Sequence, residues 1–227
     1  MPVKKGEKKQ KRGKRLGLDR QQIVQMAIVY ADKNGTDLLS MRQLAGALQC
    51  GVMSLYNHVT DKDDLLDAMV DAVAAEIELP TRRGTQKTWA ADLRACVISA
   101  YKAMLKHTWV AKIWGRGTGS AKNNYHETIL RTLREAGFSE ELTCRGFHAL
   151  TMHVVGFALQ VLELPFSNKK ELRSIGARVL DELSEDHYPY LREHVHFHLA
   201  GKDQRNDFKY MLGLILEGLA QDRAKRV

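Results

Sequence analysis

The stretch LSMRQLAGALQCGVMSLYNHVTDKDDLLDAM, Leu39 to Met69, decides the fold. It reads as two short helices joined by a tight turn, followed by the start of a longer helix. Ser40 stands where an N-cap belongs, and Gln43 three residues on gives the capping-box spacing. Leu44 and Leu48 mark the apolar face of the first helix. A break at Gln49-Cys50-Gly51 follows, and Gly51 opens a second helix expected over Val52 to Val59. Leu44, Leu48, Leu55 and Val59 can pack inward and fix the angle between the two helices, which turns the polar residues of the second helix outward. This is a helix-turn-helix layout, whose second helix has the size and placement to lie in a major groove. Thr60 with Asp63 predicts a cap for a longer helix, from about Lys62 to Glu78.

The same helical grammar extends both ways. Upstream, Asp19 is an N-cap candidate, Ile23, Ala27 and Tyr30 keep helical spacing, and Gly35 supplies a stop. Downstream, Pro80 to Gly84 forms a break, after which composition changes. Helices are expected from Thr88 to Lys106, Asn123 to Ala136, Glu140 to Leu164 (capped by Ser139 and ended by Pro165), Ser167 to Leu183, from Pro189 onward, and from Asp203 to Arg223. A shorter apolar stretch, Trp109 to Trp114, and a flexible glycine-rich connector, Gly115 to Ser120, are expected between the first two. The expected fold is all-α, with about ten helices: a basic arm over 1–18, an N-terminal three-helix domain carrying the helix-turn-helix over 19–66, and a C-terminal helical ligand-binding and dimerisation domain over 67–227.

Bulk composition narrows the class. The 227 residues are 44% hydrophobic and 27% charged, an ordinary globular balance. No apolar run approaches the ~20 residues of a membrane span, and the basic start is not followed by an apolar stretch, so a cytoplasmic protein without a membrane partner is expected. Cys50, Cys96 and Cys144 are too widely spaced for a zinc pattern or a disulfide framework. The net charge of +8 is concentrated at one end: residues 1–20 hold nine Lys or Arg against Glu7 and Asp19. A basic arm on a nearly neutral body suits an anionic polymer. There is no activated nucleophile, paired carboxylate site or cofactor motif at a credible spacing, so neither an enzyme nor a cofactor is expected. Gly115-Arg116-Gly117-Thr118-Gly119-Ser120 lacks the Gly-Lys-Ser/Thr ending of a phosphate loop. In the run His187 to His198, His194 and His198 can face one way on a helix, but no nearby Cys or Glu completes a ligand set, and no metal is expected.

Over residues 19–69, without a gap, the chain resembles the DNA-binding domain of the TetR (tetracycline-repressor) family of transcriptional regulators. The distinctive residues are Leu55-Tyr56-x-His58-Val59, Lys62 and Leu65-Leu66, with Leu44-Ala45 upstream. The resemblance implies double-stranded DNA as partner and assigns roles position by position. Arg42 can reach a guanine edge. Gly51, Val52, Met53 and Ser54 open the recognition helix, where bases or a thymine methyl are touched. Tyr56 and His58 resemble a phosphate-binding pair, Asn57 points outward toward phosphate or adenine, and Ser40 and Lys62 add phosphate contacts. Where most members have Gly-Val at the turn, this chain has Gln49-Cys50, so either Gln49 carries the positive φ a glycine usually takes, at a cost of ~1 kcal/mol, or the turn differs slightly.

Residues 88–222 resemble, more loosely, the C-terminal domain of the tetracycline-repressor branch, through Trp89 to Arg94, His107-Thr108-Trp109-Val110-Ala111, Ala136 to Ser139, Val155 to Gln160 and Met211 to Leu219. The resemblance implies a homodimer built on the Glu140–Leu164 and Asp203–Arg223 helices, with Gly156 and Gly213 permitting close approach. It also implies a small-molecule effector bound between helices. Candidate lining residues are Trp89, Met104, Trp109, Trp114, Tyr125, Phe147, Met152, His153 and Phe157, with His148 and His153 as hydrogen-bonding candidates. The implied function is a ligand-responsive repressor that binds a palindromic operator as a homodimer and is released by its effector. A DNA-binding dimer without a ligand is the alternative.

Overall fold

The computed structural model describes residues 18–81, 85–163, 168–200 and 204–225. The expected basic arm before Leu18, the stop at Pro165 and the expected helix start at Asp203 lie outside them. The described residues form eleven helices and no strand: α1 (Arg20–Asn34), α2 (Met41–Ala47), α3 (Val52–Tyr56), α4 (Lys62–Ala74), α5 (Trp89–Lys106), α6 (Val110–Ile113), α7 (Ser120–Glu135), α8 (Glu140–Leu162), α9 (Lys169–Glu182), α10 (Pro189–Leu199) and α11 (Gln204–Lys225).

Helix α1 begins where its cap dictates. The Asp19 carboxylate accepts the Gln22 N–H at 2.7 Å, and the Gln22 side chain accepts the Asp19 N–H at 3.3 Å. Ile23 and Ala27 of α1, Leu44 of α2, Leu55 of α3 and Leu65 of α4 are wholly buried, and together they close the small core of the N-terminal unit. Each such leucine contributes roughly 1.5–3 kcal/mol of burial. The turn between α2 and α3 carries its positive φ (52°) on Gln49, the first of the two alternatives.

Two expectations are corrected here. Helix α3 stops at Tyr56 rather than Val59, because the N–H groups of His58 and Val59 both turn back to the Leu55 carbonyl. The cap of α4 is Asp61, not Thr60: its backbone is extended, and its carboxylate accepts the Asp64 N–H at 2.8 Å. The Thr60 N–H is itself a donor, to the Asp64 carboxylate at 2.8 Å.

Helix α4 then bridges the molecule. One side packs on α1, the other on α7, with α5 and α6 beside it. Helix α8 is the centre of the larger part, packed against α5, α6, α7 and α11, with Leu150, Val154 and Ala158 buried along it. Helices α9 and α10 form a hairpin packed chiefly on itself, where Leu199 fills the space a side chain at Gly176 would need.

Candidate DNA-reading surface and effector cavity

The outward face of the helix-turn-helix is open. Arg42 and Asn57 are exposed and form no hydrogen bond or ion pair among the described residues. Met53 is 74% exposed and Tyr56 44%. Gly51 is also exposed, and Val52, Ser54 and His58 are half-buried. Gly51, Val52, Met53 and Ser54 therefore stand at the start of α3, and none of their side chains forms a hydrogen bond among the described residues.

Two others are already engaged. The Ser40 hydroxyl donates to the Gln43 side chain at 2.8 Å while accepting its N–H at 3.3 Å, so in the free protein its proton serves the cap. The Lys62 ammonium donates to the Thr36 carbonyl at 3.3 Å and ties the start of α4 to the α1–α2 turn. Arg20 braces the same surface from behind. It donates to the His58 carbonyl at 2.8 Å and forms a two-pronged pair with Asp64 at 2.6 and 2.9 Å. The hydrogen bond from Arg20, helped by the Thr60 N–H, holds the Asp64 carboxyl down at about 2 against the opposing effect of burial.

The second candidate site is a cavity of about 380 Å³ between three helices. Ala111, Trp114 and Gly115 come from α6 and its end, Lys122 and His126 from α7, and Phe147, Thr151, Met152 and Val155 from α8. Of the nine expected lining residues, three meet here: Trp114, Phe147 and Met152. Tyr125 lies just behind, fully buried beneath Trp114, with ring centroids 6.1 Å apart.

The others are distributed by packing. Trp89 meets Phe138 edge-on at 4.8 Å, and Arg223 lies over both rings, which joins the start of α5 to the end of α11. Met104 is core. Trp109 donates its indole N–H to Asp32 of α1 at 2.7 Å. His153 stacks on Phe208 at 4.4 Å and donates to its carbonyl at 3.0 Å, with Phe157 edge-on to both Tyr101 and Phe208. His148 is exposed on the outer face of α8. Lys122 and His126 were not among the expected lining residues. Their four-residue spacing on the buried side of α7 is the one signal that could have found them.

The outer faces of α8 and α11 expose Met152 (71%), Tyr210 (68%), Met211 and Leu214. Gly156 and Gly218 meet nothing where a Cβ would stand. At Gly213 a Cβ would stand 3.9 Å from the Arg94 guanidinium of α5, an ordinary contact. On α10, His194 and His198 bring their ring nitrogens to 3.2 Å. Among the described residues no group of three or more His, Cys, Asp or Glu comes together to hold a metal, and no helix is long and apolar enough to cross a membrane.

Residues 82–223 match the family model described as the tetracyclin repressor-like C-terminal domain. The chain belongs to the tetracycline-repressor (TetR) family. It is 35% identical over 150 residues to an HTH-type transcriptional regulator of Saccharopolyspora erythraea, covering 65% of this chain but only 62% of that protein. The structure is similar to that of apo ActR from Streptomyces coelicolor, with a TM-score of 0.80 and 27% identity over 94% of this chain and 100% of that one. It is also similar to ActR in complex with actinorhodin, with a TM-score of 0.75 and 30% identity over 91% and 98% of the two chains.

In this TetR-family chain α4 is held to the larger part at both ends. Near its C-terminal end, the buried ring of His107 lies between two carboxylates. Nδ1 is 2.9 Å from Asp32 of α1, and Nε2 is 3.2 Å from Glu76, just beyond α4. Lys106 also donates to Glu76 at 2.8 Å. Burial works against the Glu76 charge, but Lys106 and His107 outweigh it and hold the carboxyl below its usual range. Toward the N-terminal end, Asp63, Asp67 and Asp71 stand one turn apart on one face of α4. Arg116 donates to Asp63 at 2.5 Å and to Asp67 at 3.3 Å, and the Lys122 N–H donates to Asp71 at 2.9 Å.

The expectation of a flexible Gly115–Ser120 connector is therefore corrected: the segment is bound along α4. The glycines explain how. Gly117 has φ +68°, and a Cβ there would lie 3.1 Å from that of Asp67. A Cβ at Gly119 would collide with the Asp71 carboxylate. Helix α7 consequently begins at Ser120, three residues earlier than expected, with part of its cap supplied by another helix.

Proposed function

We propose that this chain is a ligand-responsive DNA-binding transcriptional regulator that binds a palindromic operator as a homodimer and acts as a repressor released by a small-molecule effector. The observation that carries this reading is the uncommitted outward face of α2 and α3, with Arg42 and Asn57 unpartnered among the described residues and Met53 exposed beside them. Base edges in a major groove are the natural partners of such a surface: Arg42 for guanine, Asn57 for adenine or phosphate, and Val52 and Met53 for a thymine methyl. Gly51 and Ser54 allow close approach, and Tyr56, His58, Ser40 and Lys62 contribute phosphate contacts. One short recognition helix reads few base pairs, so two copies and two half-sites about one helical turn apart follow. The exposed apolar residues of α8 and α11 supply the face for the second copy.

The effector enters the cavity beneath Trp114 and Phe147. The segment 115–122 passes its state to α4, which carries the helix-turn-helix. The His107 junction acts as the pivot, and the aspartate ladder is where force is applied. That ActR has been solved both apo and in complex with actinorhodin supports a ligand-bound state for this architecture. The domain division proposed is 19–66 for DNA reading and 67–227 for ligand and dimer contacts, with α4 shared across the boundary.

The test is binding of purified protein to a labelled fragment of the DNA upstream of its own gene, with excess random competitor. A competitor-resistant footprint covering two half-sites one turn apart, lost in Arg42→Ala, is expected. Binding that competitor abolishes, equal in both proteins, would contradict the reading.

A further inference from the structure

The cavity wall holds more polar chemistry than a purely apolar ligand needs. Lys122 is buried, and its ammonium donates to the carbonyls of Arg116 at 2.6 Å and Gly117 at 2.9 Å. An ammonium has three protons, so one remains. The nitrogen lies 5.8 Å from the centre of the Trp114 ring, and both residues line the cavity. Burial draws the Lys122 pKa down, while the charges of Asp67 and Asp71 oppose the change.

One turn along α7, His126 is half-buried among the rings of Trp114, Tyr125 and Phe147. Neither of its ring nitrogens has a hydrogen-bond partner among the described residues. Burial, reinforced by the nearby Lys122 charge, lowers its pKa and favours a neutral imidazole with one donor and one acceptor. Across the cavity, the Thr151 hydroxyl donates to the Phe147 carbonyl at 2.8 Å and keeps its lone pairs. Trp114 and Phe147 offer aromatic surface, and Met152 stands at the rim.

We propose that the cavity takes a flat aromatic acid, with its rings against Trp114 and Phe147 and its carboxylate or phenolate on Lys122 and His126. This rests on the reading of the chain as an effector-controlled regulator and names the effector's chemical class. A cavity of about 380 Å³ suits a compound of two or three fused rings. Bound through the third proton, the acid pulls the Lys122 ammonium toward itself and so weakens its bonds to the Arg116 and Gly117 carbonyls. Those carbonyls belong to the segment that Arg116 clamps to Asp63 and Asp67, so ligand binding loosens the hold on α4 from within the same network.

The test is calorimetric titration of the full chain, without DNA, with naphthoate and with its neutral isostere naphthamide. A charge-assisted contact gives the acid roughly tenfold tighter binding. Lys122→Met should remove that preference, bringing acid and amide to equal affinity in the variant, and Lys122→Arg should keep it. If Lys122→Met does not fold, as judged by its melt, the wild-type comparison and Lys122→Arg decide. Equal affinity for acid and amide in the wild type, a preference that survives Lys122→Met in a folded protein, or no binding of either probe overturns the proposal. A protein that binds its operator but neither probe loses the effector class and keeps the regulator reading.

Discussion

The two attachments of α4 differ in kind. At the His107 junction a buried ring has a carboxylate at each nitrogen, and Trp109 and Lys106 complete the set. The ring is therefore held at both of its nitrogens, from two different elements. Along the aspartate ladder the ion pairs are partly exposed, at 36% for Arg116 and 74% for Asp63, and two glycines let the chain lie close. Exposed pairs are individually weak. One end is built to stay, the other to be rearranged at low cost, and the second is the end that reaches the cavity. Under the proposed function, this contrast gives α4 one fixed end and one adjustable end, which is what a helix needs to transmit a signal without being flexible.

The comparison can be broken at its strong point first. His107→Ala removes the ring shared by Asp32 and Glu76 and leaves them only their bonds from Trp109 and Lys106. The carboxylates are partly hydrated, so the expected cost is about 2 kcal/mol rather than the full penalty of a buried pair, read as a lower urea midpoint. The weak end gives a smaller stability change and a larger functional one. Gly119→Ala drives a methyl into the Asp71 carboxylate and uncouples α7 from its cap, at a cost of about 1 kcal/mol, with operator binding that responds less to effector.

Two further changes calibrate the DNA-reading unit against both junctions. Gln49→Gly relieves the positive φ and should raise stability by ~0.5 kcal/mol in a thermal melt, with operator affinity unchanged. The smallest effect is that of pH on the Arg20–Asp64 brace. The folded pKa of Asp64 is depressed to about 2, so its contribution is fully present above the ordinary carboxylate pKa and is lost as pH falls through about 2. The stability difference between wild type and Asp64→Asn should stay flat from about pH 8 to 5 and shrink only below about pH 4.

What could be read from the sequence was local or carried by family resemblance. The Asp19 and Ser40 caps, the turn at Gln49 and the inward leucines of the helix-turn-helix depend on neighbours within a few residues, and the structure has them as expected. The misread features depend on distant partners. Helix α7 starts early because Asp71, on another helix, accepts from its first turn. The glycines at 117 and 119 looked like a mobile connector, but they are small because α4 lies against them. Trp89, Trp109 and His153 carry the aromatic character of a ligand pocket, yet each has a structural partner far along the chain: Arg223, Asp32 and Phe208. Composition distinguishes aromatic from polar, but not which of several buried surfaces a side chain joins. Lys122 and His126 were missed, although polar residues four apart on a buried helix face were a signal present in the sequence.

The most direct test of the two-ended account is the operator affinity of Arg116→Ala beside wild type, at one salt concentration and without effector. Arg116 lies outside the proposed DNA-reading face and the buried junction, and among the described residues its side chain bonds to Asp63 and Asp67 of α4. The account predicts an unchanged melt within about 1 kcal/mol and roughly tenfold weaker operator binding, within the range of allosteric couplings. Operator affinity equal to that of wild type would mean that the segment over α4 does not hold the DNA-reading unit in place, and the account would fail.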